Sequence, residues 1–192
     1  MDTLDDNFTT PNPDEISPRS TGIRYGVILA LVTIGLGMFG QILGGDSGME
    51  NVGMTSSLGC LTFVIMIVVI VLGVKAHRDQ ELGGFMTLGR GMAVSFWIGL
   101  VYSAIATVWQ FFYSRFINPS VQERLDEVME DSLNQVRVQV EDGEVPEVVL
   151  TYTETMLSIA TNPLFGFIVA MICVLFFGFF VSLFLKREQP MA

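Results

Sequence analysis

At 192 residues the chain has room for one domain, with 51% hydrophobic residues, only 16% charged residues and a mean hydropathy of +0.54. Soluble domains carry about a quarter charged residues, so this composition leans toward the membrane. The net charge of −10 argues against a nucleic-acid partner, which needs a basic face, and two cysteines (Cys60 and Cys173, both in apolar stretches) cannot build a disulfide framework.

The first 18 residues are acidic and rich in Pro, Asp and Asn, with no basic n-region and no cleavage site. They read as a disordered cytoplasmic tail rather than a signal peptide. Four segments then lack Asp, Glu, Lys, Arg and His altogether: 25–43, 57–74, 92–113 and 164–185. A helix needs roughly 20 residues to cross about 30 Å of hydrocarbon, and each segment meets that length. The fold expected is all-α: a polytopic membrane protein with four transmembrane helices in one domain, 19–187, followed by a short cytoplasmic tail at 188–192.

The basic residues give these spans a direction. Arg19 and Arg24 precede the first, Lys75, Arg78 and Arg90 separate the second from the third, and Lys186 and Arg187 follow the fourth. Seven of the ten Lys and Arg thus fall on one side, which the positive-inside bias makes cytoplasmic, with both termini inside. Tyr25 at one face and Trp109, Phe112 and Tyr113 at the other sit where interfacial aromatics belong, while Trp97 lies deeper, as a packing residue.

The polar stretch 116–162 then faces outward as an extracytoplasmic excursion between the third and fourth spans. It holds ten acids against Arg124 and Arg137. A helical hairpin fits it. Asn118 or Ser120 caps the first helix, with a Ser120–Glu123 capping box and Pro119 in the first turn. Val121, Leu125, Val128, Ser132, Val136 and Val140 form its apolar stripe; Gly143 ends it; Pro146 starts a second helix striped by Val149, Tyr152, Met156 and Ile159. A β-hairpin over 136–152 competes, because Val136, Val138 and Val140 alternate before Asp142–Gly143. The acidic run reads as a solvated face, and no calcium-loop spacing is present.

Inside the spans, small residues recur every fourth position: Gly91, Ser95, Gly99, Ser103 and Thr107 on the third, and Gly166, Ala170, Gly178 and Ser182 on the fourth, interrupted by Val174. Gly40 and Gly44 make a similar pair on the first. Lipid offers no hydrophobic reward for helix association, so small faces that let backbones approach become packing seams, within the chain or between copies. Phe176, Phe177, Phe179 and Phe180 face lipid or fill the bundle. The spans contain no Asp, Glu, Lys, Arg or His, and Gln41 and Gln110 sit near their outer ends, which disfavours ion-coupled transport. His77, beside Lys75 and Arg78, reads as a solvated loop residue, and no catalytic, cofactor or metal motif is present. An enzyme is not expected.

The loop after the second span carries the most distinctive run, Arg78-Asp79-Gln80-Glu81-Leu82-Gly83-Gly84-Phe85. An Arg–carboxylate pair there can pin the end of the second helix, Gly83 and Gly84 let the chain turn, and Phe85, Met86 and Leu88 can lie in the interface. This run, with Asn118-Pro119 and Asn162-Pro163 beside the outer spans, resembles domain-of-unknown-function family 4199, small four-helix membrane proteins common in Bacteroidota. The resemblance covers roughly residues 20–187 and departs at Arg90-Gly91, where an acidic and then a small residue would be expected. It implies a bacterial inner membrane and no activity. The function expected is a non-catalytic scaffold or accessory subunit of an inner-membrane assembly, contacting lipid and either a membrane protein or further copies of itself. The alternative is a small-solute pore or transporter formed by an oligomer.

Overall fold

The computed structural model describes residues 16–44, 52–143 and 145–187. Residues 1–15 of the expected N-terminal tail, the expected tail at 188–192 and most of the loop between the first two spans lie outside the described residues; Pro18, expected in the tail, opens the first helix. Six helices follow in order: α1 (Pro18–Gly44), α2 (Val52–Ala76), α3 (Leu88–Phe112), α4 (Ser120–Glu141), α5 (Glu147–Ala160) and α6 (Pro163–Leu185). α2 and α3 each run on through a five-residue π-helical turn, His77–Glu81 and Tyr113–Ile117. No strand forms among the described residues; the sole β pairing there is an isolated antiparallel bridge between Met86 and Arg187.

Four helical stretches are long and apolar enough to cross a membrane: Pro18–Ile42, Ser57–Glu81, Leu88–Ile117 and Pro163–Leu185. All are longer than the uncharged runs of the sequence, because a helix does not end where charge begins. Basic side chains at its end extend toward water while the backbone keeps its hydrogen bonds.

The chain divides into two units, described separately: the described residues up to Tyr102 with those from Met171 onward, and Ser103–Ala170. In the first unit, glycines set how closely the helices approach. A Cβ on Gly26 of α1 would lie 2.9 Å from both the Ile98 carbonyl oxygen and Val101 Cβ of α3. One on Gly40 would lie 2.7 Å from Leu58 Cδ1 of α2, and one on Gly73 of α2 2.8 Å from Ile98 Cδ1. Trp97 packs beside Gly22 and takes the Arg19 guanidinium over its ring at 5.0 Å. Leu29, Ile70, Val74, Val94, Ile98 and Val174 fill the interior from all four helices. Phe177 turns inward onto Phe63, with ring centroids 4.8 Å apart, while Phe176, Phe179 and Phe180 stay on the outer surface.

The second unit holds the α4–α5 hairpin with the adjoining ends of α3 and α6. Helices, not strands, occupy 136–152. α4 stops where Gly143 takes φ +74°, and the amides of Asp142 and Gly143 turn back onto the carbonyls of Val138 and Val140. Extended Pro146 then leads into α5. Ser120 is the first helical residue and Pro119 holds the cap position, with no side chain able to accept an amide hydrogen; the Ser120 side chain of the expected capping box lies outside the described ones. The stripes also differ from expectation. On α4, Met129, Leu133, Val136 and Val140 are half-buried while Val128 is exposed; on α5, Leu150, Thr153 and Leu157 are half-buried, and Val149, Tyr152, Met156 and Ile159 face outward. Side chains at 121 and 125 lie outside the described ones.

Candidate functional site

The start of α1, the end of α2, the start of α3 and the end of α6 meet at one end of the first unit, and the α2–α3 loop closes over them. Arg78 anchors it. Its Nε donates to Asp79 Oδ1 at 2.6 Å and its Nη1 to the Leu185 carbonyl, the last of α6, at 3.4 Å. A guanidinium at the C-terminal end of a helix also meets the negative end of its dipole. The Arg78 carbonyl accepts from the Gly84 amide at 2.8 Å, which folds the chain back through Gly83 (φ +63°) and Gly84 (φ +93°). Side-chain-bearing residues rarely adopt such angles. Leu82 and Met86 then point down into the core. Met86 is therefore a core residue rather than an interfacial one.

The segment after α6 completes the loop. The Met86 amide donates to the Arg187 carbonyl at 2.9 Å, and the Arg187 amide returns to the Met86 carbonyl at 3.1 Å. The Arg187 guanidinium lies 5.9 Å from the centre of the Phe85 ring, within cation–π range. Arg90 donates to the Ile16 carbonyl at 3.4 Å, tying α3 to the segment that precedes α1. Arg78, Asp79, Leu82, Gly83, Gly84 and Phe85 thus belong to one closed structure.

Glu81 and His77 do something different. His77, the first residue of the π-helical turn, is completely buried, not solvated. Its Nδ1 lies 2.6 Å from Glu81 Oε2, and Thr21 of α1 donates its hydroxyl to Glu81 Oε1. With the carboxylate accepting, the imidazole proton sits on Nδ1. Nε2 is buried without a partner, as is the Ser182 hydroxyl of α6. A carboxylate–imidazole pair can orient a base, yet here the second nitrogen meets packed side chains rather than solvent. The arrangement joins α1 to the end of α2. Sequence reasoning missed His77 and Thr21 because both meet through Glu81, 60 residues from Thr21, and a polar run after an apolar helix reads locally as loop. Among the described residues no group of three or more His, Cys, Asp or Glu side chains is arranged to hold a metal.

The small residues of α3 and α6 meet in antiparallel register. A Cβ on Gly91 would collide with Ser182, and one on Gly178 with Ser95; one on Gly99 would touch Val174 at 3.2 Å. Each contact steps four residues along both helices, so Val174, which interrupts the small-residue pattern on α6, is opposed by a glycine. Toward the other end Ser103 is buried, and Thr107 and Ala170 are half-buried. Gly166 is exposed, with open space where its side chain would be.

The family described as Protein of unknown function (DUF4199) matches residues 22–187 of the chain. No curated protein and no solved structure matches it. The chain belongs to the DUF4199 family.

Proposed function

We propose that this family member is a non-catalytic membrane scaffold or accessory subunit, which presents a preformed polar surface to a membrane-protein partner at the basic end of its bundle. The observation that carries this is how the α2–α3 loop is fixed. It is tied to the end of α6 by Arg78, to the following segment by the paired Met86–Arg187 bonds, and to α1 by Glu81 and Thr21. A loop held from three sides loses little conformational entropy on docking, which favours a recognition surface. The basic end faces the cytoplasm of a bacterial inner membrane in this reading, because the seven basic residues gathered there obey the positive-inside bias.

The oligomeric pore has weaker support. The small-residue face that would line such a pore is taken up within the chain, by Gly91 on Ser182, Ser95 on Gly178 and Gly99 on Val174. Affinity capture of the full chain from native membranes tests the scaffold. One stoichiometric membrane partner, lost with Arg78→Ala or Gly84→Val in chains that still fold, is the expected outcome. Solute flux through liposomes holding the purified chain alone, abolished by Gly99→Leu, would replace the scaffold with the pore.

A further inference from the structure

The hairpin beyond α3 leaves an apolar surface that α4 does not cover. α5 has three arcs. Leu150, Thr153 and Leu157 turn toward the hairpin interior and are half-buried. Glu147, Glu154 and Ser158 occupy a second arc. Val149, Tyr152, Met156 and Ile159 form the third, between 39% and 62% exposed. At about 100° per residue the two glutamates lie on the opposite side of the helix from the centre of this third arc.

We propose that the third arc of α5 rests on the bilayer, so that α5 lies in the outer lipid interface and holds the acidic α4 away from it. Two observations favour lipid as the occupant. First, α5 ends at Ala160 and the apolar span α6 begins at Pro163, with exposed Leu164, Phe165 and Ile168 in its first turns. The apolar face of α5 therefore continues in sequence into an exposed apolar surface of the membrane span. Second, charge is kept off this arc: the only two charged residues of α5, Glu147 and Glu154, lie opposite it, while α4 carries six acids together with Arg124 and Arg137. A second copy fits the surface less well. Four partly exposed side chains present far less than the roughly 800 Å² that each partner gives a standard interface. Tyr152 within the arc suits a headgroup boundary, with an apolar ring and a polar tip.

The placement of α5 rests on the four-span membrane reading and is independent of the scaffold role. The test uses the full chain, with Cys60 and Cys173 replaced by alanine, in phosphatidylcholine nanodiscs. A polarity-sensitive fluorophore is placed by Met156→Cys, or by Glu130→Cys on α4 for comparison. The Met156 probe is expected to emit to the blue of the Glu130 probe and to be quenched by lipids spin-labelled near the headgroup. A second check adds Tyr152→Asp and reads a probe at Ile159→Cys. Quenching at that position is expected to be lost while helix content stays unchanged. Equal emission from the Met156 and Glu130 probes would show α5 standing in water and overturn the proposal. A blue-shifted Met156 probe that spin-labelled lipid fails to quench would assign the arc to a protein instead. Failure of the chain to enter nanodiscs at all would count against the four spans themselves.

Discussion

Glu81 holds together two of the buried polar side chains, Thr21 and His77. It accepts from Thr21 on one oxygen and from His77 on the other, at the end of the bundle where α1 meets α2. Removing the acceptor strands a fully buried imidazole N–H, which costs about 1–3 kcal/mol, whereas an amide keeps one acceptor in place. Glu81→Ala is accordingly expected to lower the thermal unfolding midpoint in detergent well below that of Glu81→Gln; equal midpoints would mean the carboxylate is solvated rather than shared. Gly84 makes a different demand at the same end. Open space surrounds the position of its absent Cβ, so the penalty for Gly84→Ala is purely one of backbone, about 1–3 kcal/mol at φ +93°. Faster amide exchange at Phe85 and Met86, with unchanged exchange in α1, is the signature expected for that variant.

Among elements, the α3–α6 contact distinguishes glycines that the sequence alone treats alike. Gly178 has Ser95 where its side chain would be, and Gly166 has nothing. Gly178→Ala should therefore overpack the seam and destabilise the bundle by about 1–3 kcal/mol. Gly166→Ala should be neutral or gain up to about 1 kcal/mol of helix propensity. Chemical unfolding of both variants in the same micelle measures the contrast. The four-residue spacing was legible because lipid rewards close approach and little else. Where the seam stops was not, since that depends on how the helices diverge. The hairpin shows the same limit. Its helical period was visible in the residues, but two apolar arcs on α5 share that period, and only packing decides which one meets α4.

At the scale of the whole molecule, length and charge exclusion were enough to place four membrane-crossing helices, because water and lipid impose the same requirement on any chain. His77 escaped that logic. A histidine beside Lys75 and Arg78 looks solvated, yet it is completely buried, and its partner Glu81 is tied to Thr21 of α1, 60 residues earlier. The proposed sidedness rests on the whole distribution of charge rather than on any single loop. Single-cysteine variants Gln80→Cys and Gly143→Cys are expected to react with an impermeant thiol reagent from opposite sides of sealed cells. Position 143 should label from outside and position 80 only after permeabilisation, and the reverse pattern would invert the protein.

The paired bonds between Met86 and Arg187 also impose an order in time. Ribosomes add about 5–20 residues per second, so Arg187 emerges at least several seconds after the loop it completes. α2 is already made when that interval begins and α3 follows early in it, while Met86 still lacks its bonding partner. The basic end of the bundle is thus assembled last, from its earliest and latest parts. A nascent chain arrested before α6 would expose an unfinished loop to the quality-control machinery, and a finished one would not.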